Sequence, residues 1–465
     1  MGGDMEFINR ERELAFLEEK WRDPKAQLIV LWGKRRVGKT ELVRQFIRDK
    51  PHVYFLSETT NEFEQLKRFS LAIGHFFKEP LLETRGFGGW EESFRYVKDK
   101  DQRFIFVIDE FPYLMQSNRG IASLFQKAWD EYWSKTHLYL ILLGSSMGMM
   151  EAEVLGYRAP LYGRRTGQWR VDPMTFDAAG KFRKEKGFED RVLHFSVAGG
   201  IPAYWLLFSP EKDFIENLRD HVLKKGEVFY DEVEFLLREE LREPRYYFSL
   251  IQAIAQGKQK LSEIVNATGI PQPMANKYLG VLADLRIVLR EVPVTEEKPL
   301  KSKKGLYRIA DEFFRFWFRF VFPWRSEIEM AKVENVLNKI KEEMPQYLSL
   351  GYEKIAVETV WRHMDRFFRF TSIGRWWDKN EEIDIVGINR DLNSILLGEV
   401  KWSEKPVGAN VYEELKRKAE NVSWGKRGRK EFFCLFSRKG FTDAMIKKAR
   451  EEKVLLFRED SLLKV

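Results

Sequence analysis

Four short apolar runs, each four to six residues long, punctuate the first third of the chain: Leu28–Trp32, Val53–Leu56, Phe104–Ile108 and Leu138–Leu143. Between them lie stretches with apolar residues at helical spacing, such as Leu42, Val43, Phe46 and Ile47. Short continuous apolar runs read as buried strands. Strands that alternate with helices predict a parallel sheet with helices on both faces.

The pattern changes downstream. Residues 171–240 have a helical texture broken by Gly199-Gly200-Ile201-Pro202, which predicts a small helical lid. Residues 241–325 hold Leu261–Val265, the turn Thr268-Gly269-Ile270, and a second helix with Met274, Tyr278, Leu279 and Leu282 on its apolar side. Strand-like Ile287-Val288-Leu289 and a lysine-rich loop from Glu296 to Gly305 follow. Helix, turn, helix and hairpin is the order of a winged helix. Residues 326–465 mix helices and strands again. The fold class predicted is α/β multidomain, with a sheet-based core over 1–170, a lid over 171–240, a winged helix over 241–325 and a further α/β domain over 326–465.

A length of 465 residues agrees with several domains rather than one core. Charged residues make up 32% with both signs interspersed, and the net charge is +8. A mild basic excess over this length permits nucleic-acid contact without demanding it. With Cys434 as the only cysteine, an intramolecular disulfide and a cysteine-based metal site are excluded. Met1 to Arg12 lacks an apolar signal segment. The apolar stretch Phe313–Trp324 is broken by Arg315 and Arg319 and is too short to span a bilayer. The expectation is a cytoplasmic protein with no membrane partner.

Chemistry enters at Gly33-Lys34-Arg35-Arg36-Val37-Gly38-Lys39-Thr40, which fits the phosphate-loop pattern G-x-x-x-x-G-K-[ST] between an apolar strand and a helix. The glycines let successive backbone N–H groups turn toward one phosphate chain, and the helix that follows offers its positive end. Lys39 would reach the β- and γ-phosphates of ATP, and Thr40 would offer its hydroxyl to Mg²⁺. The run Phe104–Ile108 ends in Asp109-Glu110, about 70 residues downstream. At the carboxyl end of a parallel strand Asp109 can hold Mg²⁺ and Glu110 can polarise the attacking water. Ser145, at the end of the Leu138–Leu143 run, would sense the γ-phosphate or hold the water; a turn serine accounts for it equally well. Arg158, Arg164 and Arg165 follow; Arg164 is the candidate to stabilise the transferring phosphoryl group, with a plain surface arginine as the alternative. An arginine acting in trans would require a homo-oligomer; one acting in cis would not. Asn9-Arg10 before the first strand would flank the base, or simply open a helix.

These residues resemble the archaeal ATPase family, P-loop ATPases related to the AAA+ and signalling-ATPase groups. The resemblance rests on Phe7-Ile8-Asn9-Arg10, the phosphate loop, Ile108-Asp109-Glu110-Phe111, Gly144-Ser145-Ser146, Gly199-Gly200-Ile201-Pro202 and Ile309 to Trp317. It spans nearly the whole chain. It implies a winged helix and, in many members, a C-terminal restriction-endonuclease-like domain of the PD-(D/E)xK type.

The last block also has a reading of its own. Glu381–Gly387 and Ile395–Lys401 look like neighbouring strands, linked through Asn389, Arg390, Asp391 and Asn393. A hairpin centred on Asp391 and Leu392 sets Asp384 opposite Glu399, and Glu399 and Lys401 share a face. Two carboxylates suit Mg²⁺ or Mn²⁺ against a phosphodiester, and the lysine can position water. Glu353 on an upstream helix could add a carboxylate, a place where the resemblance also implies one, and Trp376-Trp377 resembles the family too. A charged strand edge is the alternative. The second helix of the winged helix has Lys277 as its main cation, beside Gln272 and Asn276, while Lys298, Lys301, Lys303 and Lys304 could meet phosphates; a winged helix used only for packing between domains is the alternative. The function expected is ATP hydrolysis coupled to DNA, with a metal-dependent nuclease site. Its rival is a nucleotide-dependent switch whose last domain only binds DNA or a protein.

Overall fold

In a computed structural model of the chain, residues 7–100, 102–241, 243–379 and 381–464 are described. The chain divides into two compact units. The first comprises the described residues of Met1–Met174, Gly200–Leu206 and Glu239–Arg242, and the second those of Thr175–Gly199, Leu207–Arg238 and Glu243–Val465. The stretch expected as a lid is therefore shared between the two.

The first unit is built on β1 (Gln27–Trp32), β2 (His52–Leu56), β3 (Ile105–Asp109), β4 (Tyr139–Gly144) and β5 (Gly167–Arg170). Their order is β2-β3-β4-β1-β5, and every pairing is parallel. The four apolar runs are strands within one residue of their expected ends. The fifth, β5, had no apolar run to announce it: Gly-Gln-Trp-Arg is half-exposed at the sheet edge. On one sheet face Leu28, Val30, Phe106, Ile108, Leu140 and Leu142 pack into a core with Phe69, Phe94, Phe125 and Trp133. Side chains two apart along each strand reach that core together, so the alternate face is free for other helices. Two helices start at strand ends and carry chemistry: α1 (Lys39–Ile47) after β1 and α2 (Phe111–Ser117) after β3.

The helix α3 (Val228–Glu240) runs through the second unit and ends, at Glu239 and Glu240, in the first. Within the second unit α4 (Pro244–Ala255), α5 (Leu261–Thr268) and α6 (Gln272–Asp284) precede an antiparallel pair, β6 (Val288–Glu291) and β7 (Leu306–Ile309). Gly269 ends α5 at φ 67°, a left-handed cap that glycine adopts without strain. After α7 (Glu312–Phe316) comes the long α8 (Val333–Arg362).

A six-stranded mixed sheet completes the second unit. Its strands are β8 (Ser372–Asp378), β9 (Glu381–Asn389), β10 (Ser394–Lys401), β11 (Lys430–Ser437), β12 (Leu455–Arg458) and β13 (Ser461–Leu462), lying side by side in sequence order. Strands β8, β9 and β10 are antiparallel neighbours, whereas β10, β11 and β12 run parallel through the crossover helices α9 (Ala409–Glu420) and α10 (Asp443–Glu452). Gly398 pairs with Ile385, the register of a hairpin centred between Asp391 and Leu392. Continued by one residue, it sets Glu399 opposite Asp384. Cys434 is buried in β11. Among the described residues no helix is long and apolar enough to cross a membrane.

Candidate functional site

The turn between β1 and α1 is shaped by backbone angles that few residues accept. Gly33 lies at φ 153°, Arg36 at 62° and Gly38 at 93°. A Cβ on Gly33 would come within 2.3 Å of the Val171 carbonyl oxygen, so only glycine fits there. Arg10, which is 4% exposed, props the loop from outside. Its Nη2 donates to the Val37 carbonyl at 2.9 Å and its Nη1 to the Asp172 carbonyl at 2.8 Å. Arg10 thus braces the loop and also opens the helix Glu11–Arg22, whose first turn begins at its carbonyl.

Lys39 is buried, and its ammonium donates to the Gly33 and Lys34 carbonyls, each at 3.0 Å. Burial lowers its pKa to about 8, against the pull of Glu110 and Asp109. Thr40 Oγ1 donates to Asp109 Oδ2 at 2.9 Å, across the gap between α1 and β3. Asp109 is 2% exposed, and also accepts from the Tyr54 hydroxyl and, at 2.9 Å, from the Glu110 amide. Burial and the adjacent Asp109 raise the Tyr54 phenol, which keeps it a donor. A hydroxyl and a carboxylate in contact at a phosphate loop form a donor set suited to Mg²⁺.

Glu110 opens α2 from a left-handed conformation, φ 54° and ψ 48°. Its carboxylate accepts from Ser145 Oγ at 2.8 Å and from the Ser145 amide at 3.3 Å. The structure therefore brings Lys39, Thr40, Asp109, Glu110 and Ser145 together. Arg164 is occupied elsewhere: three contacts of 2.9–3.0 Å bind it to Asp130, and Nη1 donates to the Pro160 and Tyr162 carbonyls. Arg165 donates to the Leu155 carbonyl.

Tyr113, Tyr204, Glu239 and Glu240, which the sequence did not single out, meet residues of the loop and of the β4 end. Arg35 Nη2 donates to the Tyr113 hydroxyl at 2.9 Å, and its Nε lies 2.7 Å from Glu239. Burial works against the charge on Arg35, but Tyr113, Glu239 and Glu110 outweigh it and raise its pKa. Ser146 Oγ donates to Glu240 at 3.3 Å, and burial raises the Glu240 carboxyl to about 6. The end of α3 thus sets two carboxylates against the cationic loop. Tyr204 adds a ring 5.9 Å from the Arg36 guanidinium.

The second unit holds its own cluster. Asp384 and Glu399 are 7% and 6% exposed. Asp384 Oδ2 accepts from the Val400 amide at 2.9 Å. Lys401 Nζ donates to Glu399 at 2.7 Å, and Lys418 from α9 approaches the same carboxylate at 3.3 Å. Glu353, on α8, stands 3.5 Å from Arg375. Burial and the neighbouring Asp384 push Glu353 well above the usual carboxylate range, and burial with Glu399 pushes Asp384 up. Burial opposes the charge on Lys401, but the Glu399 carboxylate outweighs it and raises its pKa. Glu353, Asp384, Glu399 and Lys401 thus act on one another. Asp384 and Glu399 offer the hard oxygen donors of a divalent-cation site. Among the described residues no group of three or more His, Cys, Asp or Glu is arranged to hold a metal ion.

Comparison with known proteins fits the first unit. Residues 7–206 match the family described as an ATPase domain predominantly from Archaea, and residues 317–419 match one described as archaeal and bacterial proteins of unknown function. An uncharacterized protein of Methanocaldococcus jannaschii is 36% identical over 422 residues, covering 90% of this chain and 92% of its own. An uncharacterized ATP-binding protein of the same organism is 54% identical over 50 residues, 11% of this chain and 85% of its own. A Walker-type ATPase of Pyrococcus abyssi is similar in structure at a TM-score of 0.48 and 25% identity, covering 67% of this chain and 96% of that one. The phosphate loop, its buried aspartate and the full-length relative together make this chain a member of the archaeal ATPase family.

Proposed function

We propose that the protein binds and hydrolyses ATP at the phosphate loop and acts on DNA through its second unit. The observation that carries the ATPase reading is the 2.9 Å contact between Thr40 and Asp109, beside a buried Lys39. Thr40 and Asp109 would hold Mg²⁺, whose charge would offset that of the bound phosphates. Lys39, now folded on two loop carbonyls, exchanges them for phosphate oxygens when nucleotide enters. Glu110 leaves Ser145 and accepts a hydrogen bond from the attacking water. The water oxygen bonds to the γ-phosphorus as the bond to the β–γ bridging oxygen breaks, yielding ADP and phosphate. Arg164 would have to leave Asp130 to serve as a finger. Steady-state ATP hydrolysis by wild type and Lys39→Ala tests this. A variant with wild-type turnover would end the assignment.

In the second unit, α5, α6 and the β6–β7 hairpin support a winged-helix reading, and Lys298, Lys301, Lys303 and Lys304 supply cations for phosphates. The convergence of Asp384, Glu399 and Lys401, with Glu353 behind them, supports a restriction-like nuclease site using Mg²⁺ or Mn²⁺. Lys401 would position water there, and the two carboxylates would hold the ion. Metal-dependent cleavage of plasmid and single-stranded DNA by wild type, absent in Glu399→Ala, is the expected result. No cleavage by wild type with either metal, with or without ATP, would remove the nuclease reading.

A nucleotide-dependent switch is the second reading. The grip of Ser145 on Glu110 and of Glu239 on Arg35 favours it, because both contacts hold the site in a form that nucleotide must rearrange.

A further inference from the structure

The second unit encloses a cavity of about 720 Å³ that the ATPase reading does not use. Glu353 and Asp384 stand in its wall, beside residues of α4, β6, β7, α7, α8 and β8. Leu289, Ile309, Leu350, Val357 and Ile373 make much of the lining apolar. A cavity of this size belongs to the class that takes small organic ligands, roughly 300–1,000 Å³. A volume of about 720 Å³ does not enclose a DNA duplex.

Its charges are not evenly matched. Arg308 stands 3.0 Å from Glu291, Lys354 is 2.5 Å from Glu312, Arg375 is 3.5 Å from Glu353, and Arg319 pairs with Glu343. Among the described residues, Arg315 alone of these cavity cations has no carboxylate in salt-bridge contact. Its guanidinium lies over the Tyr347 ring, 4.4 Å from the centroid. Among the described residues its enclosed Nε and Nη2 have no hydrogen-bond partner. Arg375 adds one more, Nη1; its Nε lies in the ion pair with Glu353 and its Nη2 donates to Glu382 at 2.9 Å. Arg315 is half-buried, and enclosed donors left unmatched on a cation are costly to the fold. A planar fork of donors beside an apolar, ring-bearing wall is the chemistry that receives a phosphate on one side and a base on the other.

We infer that this cavity binds the phosphate-bearing terminal nucleotide of a single strand, or a free nucleotide of the same chemistry, with Arg315 as its phosphate anchor. The inference rests on the nucleic-acid reading of the second unit. It adds a substrate class to that reading: a strand end rather than an uninterrupted duplex. Asp384 and Glu353 in the cavity wall would then lie beside the end of the strand.

The test is binding in chelator, on the full-length Lys39→Ala protein, so that neither cleavage nor the phosphate loop contributes. The probes are a 5′-phosphorylated single-stranded oligonucleotide, the same strand with a 5′-hydroxyl, and free nucleoside 5′-monophosphate as competitor. The phosphorylated strand should bind about tenfold more tightly than the hydroxyl strand. Adding Arg315→Met should erase that preference while leaving the circular dichroism spectrum unchanged. Competition by the monophosphate supports the site and makes a free nucleotide a second source; its failure assigns the site to strand ends. Equal binding of both strands by the parent would overturn the proposal, as would a preference that survives Arg315→Met. If the preference is found and wild type with metal cuts nothing, the cavity assignment stands and the nuclease reading fails. If wild type cuts but shows no preference, the reverse holds.

Discussion

The phosphate-loop site and the Asp384–Glu399 cluster are both buried charge assemblies, but they are built in opposite ways. The first comes mainly from contiguous residues at two strand ends, and its cation and its carboxylates are left facing one another across a site. The second is collected from α8, β8, β9, β10 and α9, and most of its charges are already neutralised in pairs. Lys39 rests on backbone carbonyls, an arrangement that exchanges easily for phosphate oxygens. Glu399 accepts from Lys401 and Lys418 together, so anything entering must compete with two ammonium groups. The difference teaches that burial alone does not mark a ready site; what matters is whether the charges already have partners.

The largest expected effect comes from splitting the two. Lys39→Ala should cut ATP hydrolysis by at least about 100-fold while leaving the circular dichroism spectrum unchanged. In the second unit, Glu399→Ala, or chelation of divalent metal, should abolish DNA cleavage and leave the basal ATPase rate within about twofold, read in parallel on one preparation. A smaller effect is expected where the loop is obstructed. Glu239→Gln should release Arg35 and tighten nucleotide binding by about three- to tenfold, measured by titration with a fluorescent ATP analogue. The smallest is on stability. Burial raises the folded-state pKa of Glu240 from 4.5 to about 6, so the protonated form favours the folded state. That contribution is full below about pH 4.5 and is lost as pH rises through about 6. Glu240→Gln should therefore raise the melting temperature at pH 7.5 and change it little at pH 4.5.

Legibility followed the same division. Strands β1, β3 and β4 could be read because each is an apolar run buried on both faces, and β2, at the sheet edge, because its residues are apolar although only Val53 and Phe55 are buried. Strand β5 could not, because its four residues sit at a half-exposed edge. The phosphate loop and Asp109-Glu110 were legible because backbone geometry and strand ends fix their spacing. The register of Asp384 against Glu399 followed from two alternating strands and a turn. Glu239 and Glu240 were not legible: nothing in the sequence separates them from Glu232 and Glu234 on the same helix. Tyr54 looked like an ordinary strand aromatic, and its bond to Asp109 depends on β2 lying beside β3. Arg164 carried a plausible role by position, yet Asp130, far back in the chain, occupies it.

The central claim is that Glu110 acts on water at an ATP site built by the phosphate loop. Steady-state ATP hydrolysis by wild type and Glu110→Gln, measured beside the affinity of each for ATP, tests it most directly. The account predicts turnover by wild type, a fall of about 100-fold or more in Glu110→Gln, and affinities within about threefold. Wild-type turnover in Glu110→Gln would contradict it.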